Sequence, residues 1–377
     1  MIYLDNAATT ALSPYIKSIL SDTYSRLYGN NSSPHKIGKE SNAALESARV
    51  SIAELFGVDS RGIYFTSGAT ESINLLFQGY TKLLQRNTQP QNEIIISQIE
   101  HPAVYQTAHY LKKQGFIVHE LKNDNYGRID TEHLKELLNN KTALVAVMAV
   151  NNETGVVQHI SDLVDIVKDN NDKTLFFTDT VQALCKIDVT PFTRKVDGFC
   201  GSAHKIGGPK GVGFLYLNPK FRALPIIYGG EQELSFRPGT VNVPGIFLMS
   251  EALIDRTTHF NVNTKHVTEI NTYLEKKLKD YNIEFSRIVP LEQTSPYIVS
   301  LSLPIQNDRL LESLSERNIC VSKRSACSSQ SHSKSRILES MGIEHDEIDR
   351  IIRVSFSRET TKEEIDAFAQ AVQEIIA

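Results

Sequence analysis

Lys205 is the residue of this chain whose setting most clearly indicates chemistry. It lies in a glycine-rich stretch at 201–211, directly after His204, with glycine turns close by. An amine held in this way could bond covalently to a carbonyl group. A Gly/Pro loop whose basic residues face water is the simpler interpretation, and for an isolated lysine it is the favoured one. Other segments therefore have to decide between the two.

The segment from Ser67 to Ser72 follows an apolar strand and opens a helix. Backbone N–H groups at the start of a helix, together with the helix dipole, suit a phosphate group. Simple N-capping by Thr66 or Ser67 is the alternative, and for this segment alone it is favoured.

Three other strands end in polar side chains that could contact a ring or an amino acid. His101 could stack on an aromatic ring, although a histidine at a helix start is more often a surface or capping residue. Asn152 precedes a glycine turn, where an Asx turn explains it as well as a ligand contact does. Asp179 either caps a helix or pairs with a cation such as a protonated pyridine nitrogen. In chain order with the helix start and Lys205, these groups indicate a pyridoxal phosphate site.

The order of apolar patterns predicts an α/β architecture. Between residues 41 and 217, helical patterns alternate with short apolar runs, which is typical of a mostly parallel sheet with helices on both faces. The predicted helices span residues 40–55, 71–84, 103–114, 131–139 and 160–169. The predicted strands span residues 62–65, 93–97, 117–121, 143–150, 175–178 and 211–217.

The remainder of the chain predicts a smaller α+β unit. Its predicted elements are helices at 244–256 and 267–279, strands at 297–303 and 353–357, and a last helix that a capping-box spacing at Thr361 and Glu364 opens. We predict a large domain over residues 15–255. Residues 1–14 and 256–377 are predicted to form the small domain.

Composition argues against several functional classes. The 377 residues carry a formal net charge of -4, which gives no basis for direct nucleic-acid binding. Four cysteines without CxxC spacing favour reduced thiols over a disulfide framework or a metal site. The longest apolar run, at 143–150, is too short to cross a membrane, and the N-terminus has no secretory pattern. We therefore expect a cytoplasmic protein that binds no metal.

Several segments together carry a family resemblance. The sequence resembles the class V, fold-type I pyridoxal phosphate enzymes, and among them the cysteine desulfurases of the NifS/IscS type. The resemblance spans nearly the whole chain, in segments 3–10, 65–72, 100–101, 150–155, 202–211 and 237–240. It implies a seven-stranded, mostly parallel sheet between helices, a homodimer, and pyridoxal 5'-phosphate as cofactor.

The resemblance also implies a role for each residue around the cofactor ring. Lys205 would form the covalent bond to the cofactor, and Asp179 would pair with the ring nitrogen. His101 would stack on the ring, and Gln182 would bond the phenolic oxygen of the cofactor.

The phosphate and the substrate would be held by a second group of residues. Further cofactor contacts, mostly to the phosphate, would come from Ala69, Thr70, Ser202 and His204, with Thr240 reaching in from the partner subunit. The substrate carboxylate would be held by Asn152 and Arg353, because a guanidinium fork matches a carboxylate.

Cys327 distinguishes a desulfurase from its relatives. It lies in a serine-rich segment at about 322–336, which we expect to be an exposed, mobile loop of the small domain. Neighbouring cationic side chains, Lys323, Arg324, His332 and Lys334, favour the thiolate form. From composition alone an accidental surface thiol is favoured. The match of residues 325–329 to the cysteine loop of the desulfurases reverses that preference.

The resemblance therefore implies the conversion of L-cysteine to L-alanine. Lys205 and His101 would move protons, and the Cys327 thiolate would attack the substrate sulfur and keep it as a persulfide. The sulfur would pass to an acceptor protein, either an iron–sulfur scaffold or a tRNA thiolase. Because little sequence follows the last helix, we expect that the acceptor could be the tRNA enzyme.

Two other kinds of protein remain open. A selenocysteine lyase, aminotransferase or epimerase of the same class would keep Lys205 but would not need Cys327. A non-catalytic sulfur-relay protein would need no cofactor.

Some positions depart from the family pattern. Ala203 and Gly207 predict a looser turn around Lys205, and Thr180 adds a hydroxyl near the ring. Lys323 and Arg324 replace small residues before the cysteine, which concerns the surface that meets the acceptor more than the chemistry.

Overall fold

The structure is a computed structural model, and it describes residues 1–86, 91–323 and 335–377. The helices in these ranges are α1 (Pro14–Arg26), α2 (Lys36–Phe56), α3 (Ala69–Leu84), α4 (Pro102–Lys113), α5 (Thr131–Leu137), α6 (Ile160–Asn170), α7 (Thr190–Thr193), α8 (Val243–Thr258), α9 (Phe260–Asp280), α10 (Asn307–Glu316), α11 (Arg336–Ser340), α12 (His345–Ile348) and α13 (Lys362–Ile376). The strands are β1 (Ile2–Tyr3), β2 (Ile63–Thr66), β3 (Glu93–Ser97), β4 (Ile117–Leu121), β5 (Thr142–Ala146), β6 (Leu175–Asp179), β7 (Gly198–Ser202), β8 (Gly213–Leu217), β9 (Ser286–Arg287), β10 (Ile298–Ser302), β11 (Ile319–Cys320) and β12 (Ile351–Ser355).

The main sheet of the described chain has seven strands in the order β2-β8-β7-β6-β5-β3-β4. The pairs from β4 through β7 are parallel, and β8 runs antiparallel to both of its neighbours. Helices cover both faces, since Phe176 and Phe177 of β6 alternate between two apolar cores. Strands buried on both faces are apolar throughout, which is why they stand out in the sequence. The predicted α/β fold with a mostly parallel seven-stranded sheet is confirmed.

One strand of this sheet was predicted too long, and another was not predicted at all. The strand predicted at 143–150 ends at Ala146, and the residues that follow form an irregular segment whose N–H groups at Val147 and Ala149 bond carbonyls at the end of β6. No strand was predicted at β7, because its glycines weaken the strand pattern. Gly201 is required there, since a Cβ atom would lie 2.4 Å from the ring of Phe214.

A second, smaller sheet lies after the main one. Strands β12, β10 and β9 form it in antiparallel order, and β1 pairs in parallel with β11. Its core includes apolar residues of α9, α10 and α13, and also Leu4 and Ala7 from the N-terminus. Ile365, Phe368 and Val372 of α13 are buried and Ile376 is partly buried, so one face of this helix packs on the core. The proposed domain boundaries at residues 14/15 and 255/256 stay a prediction.

In the residues that the structure describes, no helix is both long enough and apolar enough to cross a membrane. The same residues contain no cluster of three or more His, Cys, Asp or Glu side chains that could hold a metal ion. Cys185 and Cys200 are buried and belong to the apolar cores on the two faces of the main sheet.

The capping box at the start of α13 gives a test of the fold. The Thr361 hydroxyl accepts from the Glu364 N–H at 3.3 Å, and the Glu364 carboxylate accepts from the Thr361 N–H at 3.0 Å. Thr361→Ala should lower the free energy of unfolding by about 1 kcal/mol, measured by urea unfolding. Thr268→Ala is the control, because the hydroxyl of Thr268 only bonds a carbonyl of its own helix. Equal effects of the two changes would contradict the capping role.

Candidate active site

The predicted site residues meet at a cavity of about 490 Å³ beside the carboxyl ends of the main-sheet strands. Its lining includes ten of them: Ala69, Thr70, His101, Asn152, Asp179, Gln182, Ser202, His204, Lys205 and Arg353. Thr240 does not line this cavity and is exposed, next to a smaller cavity that also touches Ser67. Cys327 lies outside the described residues.

The start of α3 leaves backbone donors facing the cavity. Gly68 is the N-cap residue, and no side chain of the described chain caps it. The Thr66 hydroxyl instead lies 2.8 Å from the Ser72 hydroxyl, and Glu71 accepts from the Ser67 N–H at 2.7 Å. Neither Thr66 nor Ser67 therefore caps α3 with its side chain, contrary to the simple N-capping interpretation. An uncapped helix start of this kind suits an anion.

Lys205 ends a short 3₁₀ turn that follows β7. Its Nζ donates to the carbonyl oxygens of Ala7 at 2.6 Å and Ala8 at 2.7 Å. The turn is closed by the Gly208 N–H, which donates to the Ala203 carbonyl at 2.9 Å. Gly207 has a φ of +79°, a value that favours glycine. Backbone hydrogen bonds close this turn, and the looser turn expected from Ala203 and Gly207 relative to the family stays a prediction.

Asp179 is buried at the end of β6 and is 4% exposed. Its Oδ1 accepts from the Val181 N–H at 2.9 Å, which fixes the carboxylate in a local turn. Burial raises the pKa of Asp179 to about 6, and the positive charge of Lys205 opposes that rise. A buried carboxylate of this kind is stabilised by a cationic ligand, because the cation offsets the loss of water.

His101 caps α4 and at the same time faces the cavity. Its Nδ1 accepts from the Ala103 N–H at 3.1 Å, so the neutral ring carries its proton on Nε2. Burial, together with a smaller effect of the positive charge of Lys205, lowers the pKa of His101 to about 4. The capping and the ligand-facing interpretations are therefore compatible, since the cap fixes the plane of the ring.

Arg353 on β12 is 1% exposed and holds two partners. Nη1 donates to the Asn152 carbonyl and Nη2 to Asp5 Oδ1, both at 2.7 Å. Arg353 Nε and Asn152 Oδ1 are buried and have no hydrogen-bond partner in the described part of the chain. The Asx turn belongs to Asn151, whose Oδ1 accepts from two N–H groups. Asn152 is thus left with a buried polar group that a ligand could satisfy.

Sequence reasoning assigned no role to the N-terminal segment 5–9, although it touches four predicted site residues. Asp5 bonds Arg353, the Ala7 carbonyl accepts from Gln182 Nε2 at 2.9 Å, and Ala7 and Ala8 accept from Lys205. The Thr9 hydroxyl lies 3.1 Å from Nδ1 of His204. The resemblance included residues 3–10, but the side chain of an alanine gives no sign of what its carbonyl binds.

The donor set fits pyridoxal phosphate. The uncapped start of α3, with Ser202 and His204 beside it in the lining, suits the phosphate, and the buried Asp179 suits a cationic ring nitrogen. Lys205 supplies an amine in the same cavity.

The class-V aminotransferase family matches residues 2–368. The chain belongs to this family. The seven-stranded sheet and the cavity at the strand ends are therefore those of a fold-type I enzyme, and the cofactor of this class-V enzyme is pyridoxal phosphate.

Individual relatives cover the chain from end to end. The protein described as putative cysteine desulfurase IscS 1 of Bacillus subtilis (strain 168) is 34% identical over 377 residues, which are 100% of this chain and 98% of that protein. The mitochondrial cysteine desulfurase of Saccharomyces cerevisiae (strain ATCC 204508 / S288c) is 35% identical, over 99% of this chain and 74% of its own length.

Two solved structures are similar to this class-V enzyme over nearly all of both chains. A NifS-like protein has a TM-score of 0.92 at 35% identity and is covered to 99%, with 100% of this chain matched. SspA in complex with cysteine has a TM-score of 0.80 at 29% identity, over 96% of this chain and all of its own.

The raised pKa of Asp179 gives a pH-dependent prediction for the cofactor-free protein. Its folded pKa of about 6 lies above the usual value, so the ionised carboxylate destabilises the fold above pH 6 and not below pH ~4. Asp179→Asn keeps the acceptor for Val181 and should add about 2 kcal/mol to the free energy of unfolding at pH 7.5. Urea unfolding at pH 7.5 and pH 4 should show the gain at the higher pH only.

Asp188→Asn is the matched control for this measurement. Exposed Asp188 also accepts from the N–H two residues on, at 3.0 Å, so the same change removes a charge without burial. A gain at both pH values for Asp179→Asn, or an equal gain in the control, would contradict the desolvation argument.

Proposed function

We propose that this protein is a cysteine desulfurase, which converts L-cysteine to L-alanine and carries the removed sulfur as a persulfide on Cys327. The observation that carries the proposal is the convergence of Lys205, Asp179, His101 and Arg353 on one cavity. Membership of the class-V family and full-length similarity to cysteine desulfurases support the same conclusion.

Each part of the cofactor has a group of this chain that would hold it. The start of α3, with Thr70, Ser202 and His204, would hold the phosphate. Asp179 would pair with the ring nitrogen, Gln182 would donate to the phenolic oxygen, and Lys205 would bond the carbonyl carbon. Bound in this way, pyridoxal phosphate supplies an electron sink for charge that develops on the substrate.

Lys205 and His101 are the groups that would move protons. The amine of Lys205 has two carbonyl acceptors, at Ala7 and Ala8, which give it a defined place when it is not bonded to a ligand. His101 is neutral at pH 7 because its pKa is about 4, and its Nδ1 is used by the helix cap. The group left for proton transfer on His101 is therefore Nε2.

Arg353 and Asn152 would hold the carboxylate of the substrate. The guanidinium of Arg353 keeps a buried Nε without a partner among the described residues, and it is held in place by Asp5 and Asn152. A fixed, desolvated guanidinium recognises a carboxylate strongly, which favours an α-amino acid as the substrate.

The sulfur transfer itself would use Cys327. Its thiolate attacks the sulfur of the substrate, a S–S bond forms, and the substrate C–S bond breaks with its electron pair left on the carbon side. That carbon side then takes up protons and leaves as L-alanine, while Cys327 keeps the sulfur. A reductant or an acceptor protein finally removes the sulfur from Cys327.

We also propose a homodimer in which Thr240 completes the site of the partner subunit. Thr240 is exposed and does not line the cavity of its own chain. The segment before it exposes large apolar side chains, Tyr228 at 72% and Leu234 at 78%, which a second subunit could cover. Both observations support a contact between copies of this chain.

The sulfur-acceptor protein and the cellular location are further parts of the expected function. We propose an iron–sulfur scaffold or a tRNA thiolase as the acceptor. The cytoplasmic location expected from the sequence stays a prediction, and the yeast relative is described as mitochondrial.

The role of Cys327 is tested by measuring sulfide and alanine released from L-cysteine in the presence of a thiol reductant. The native protein should release both in equal amounts, and Cys327→Ser should lose sulfide release by at least about 100-fold, since no nucleophile then attacks the sulfur. Cofactor absorbance should be the same in both proteins.

Cys320→Ser is the matched control, because Cys320 is the nearest described cysteine in the sequence and lies in β11, outside the cavity lining. Equal sulfide release from the native protein and Cys327→Ser would support a direct lyase instead. Release of neither product would support another substrate of the same class.

The role of Thr240 is tested by mixing two inactive or weakened variants. Thr240→Ala should weaken cofactor binding about tenfold through the loss of a hydrogen bond to a charged group. Lys205→Ala should abolish activity. Mixed dimers should regain one native site, since Lys205 of one chain meets Thr240 of the other. Activity that never exceeds the sum of the separate variants would contradict a shared site.

A further inference from the structure

Lys186 is a buried lysine that the proposed chemistry does not use. It lies four residues after Gln182, in the turn that follows β6, and it is 7% exposed. It does not line the cavity. A lysine is seldom buried without a specific partner, because its ammonium group loses water on burial.

The surroundings of Lys186 make its burial still less favourable. Burial, with a smaller effect of the positive charges of Lys205, Arg256 and Arg353, lowers the pKa of Lys186 to about 7, and Cys185 acts in the opposite direction. Its Nζ donates to Gln182 Oε1 at 2.7 Å. Burial of the Lys186 ammonium group is electrostatically unfavourable. Its hydrogen bond to Gln182 therefore points to a function.

The hydrogen bonds of Gln182 determine which way its amide faces. Its Nε2 donates to the Ala7 carbonyl at 2.9 Å, and its Oε1 accepts from Lys186. The Ala7 carbonyl requires a donor, and the protonated form of Lys186 requires an acceptor, so the two contacts select the same amide orientation. The second N–H of Nε2 is then the polar group that Gln182 has left for the cavity it lines.

We propose that Lys186 is a positioning residue, which holds the Gln182 amide so that Gln182 presents an N–H group and not its oxygen to the phenolic oxygen of the cofactor. The inference rests on the proposed role of Gln182. Without Lys186 only the contact to Ala7 would orient the amide, and the terminal torsion of a glutamine is otherwise broad.

The test follows the absorbance of bound pyridoxal phosphate in the full-length protein as a function of pH. The proteins compared are the native form, Lys186→Met, Gln182→Leu and the double variant. An N–H donated to the phenolic oxygen stabilises that oxygen as an anion. Its loss therefore raises the pH midpoint at which the bound cofactor releases its proton, by about one unit.

Lys186→Met should raise the midpoint when Gln182 is present and leave it unchanged in the Gln182→Leu background. Removing the charge of Lys186 would by itself shift the midpoint equally in both backgrounds. Equal shifts would therefore overturn the proposal and assign Lys186 a direct electrostatic or purely structural role. The dissociation constant of the cofactor should follow the same non-additive pattern.

Methionine should be accepted at position 186, because an apolar side chain that replaces a buried charge is often neutral or stabilising. If Lys186→Met does not fold, Lys186→Arg keeps a cationic donor and should keep the native midpoint. A shift in Lys186→Arg as large as that of Gln182→Leu would overturn the proposal.

These readouts separate this inference from the function on which it rests. If Lys205→Ala leaves the cofactor absorbance unchanged, the proposed site is wrong, and the role of Lys186 falls with it. If Lys205→Ala removes the native band and the Lys186 shifts are additive, only the role of Lys186 is wrong.

Discussion

The site depends on the hydrogen bonds of a single backbone segment, residues 5–9. The Ala7 N–H donates to the Ser355 hydroxyl at 2.9 Å, so β12 fixes this segment from the side of the small sheet. The Ala7 carbonyl then accepts from Gln182 and Lys205, which both come from the main sheet. The backbone of one residue, Ala7, therefore links the two sheets at the point where the ligand would bind. Its own place is fixed by burial of Leu4 and Ala7 in the smaller core.

The second property of the site is that several titratable groups in it or near it are buried. Burial raises the pKa of Asp179 to about 6 and that of Glu100 to about 8, and it lowers the pKa of Lys186 to about 7. Each pKa shift corresponds to a free-energy cost of the charged form in the folded protein, because that form has lost its hydration. A cationic ring nitrogen can offset the cost at Asp179, which lines the cavity. Since the uncapped start of α3 suits an anion, the cofactor-free site is preorganised for a ligand that carries both signs of charge.

Site residues that act through their side chains could be predicted from the sequence, whereas those that act through backbone carbonyls could not. Asp179 and His101 were predictable because each lies at or just after the end of a predicted strand, and the carboxyl ends of neighbouring parallel strands meet at one edge. Lys205 was predictable from its glycine-rich stretch. Strand β7, which leads to Lys205, was missed because glycines give no strand signal. The contribution of Ala7 and Ala8 could not be predicted, since their carbonyls act and their side chains do not. The partnership of Gln182 and Lys186 required the actual rotamers, and Cys327 lies outside the described residues.

The side chains of Arg353 and Lys205 donate to different kinds of hydrogen-bond acceptor, and each kind suits the proposed role of its residue. Arg353 is bonded to a carboxylate, Asp5, at 2.7 Å, which fixes the guanidinium in a buried position. Lys205 donates to two backbone carbonyl oxygens, those of Ala7 and Ala8, at 2.6 and 2.7 Å. Because these carbonyls belong to the segment that also binds Gln182, they fix the place of the Lys205 amine relative to the rest of the cavity. A fixed place is what an amine that must bond a carbonyl carbon requires.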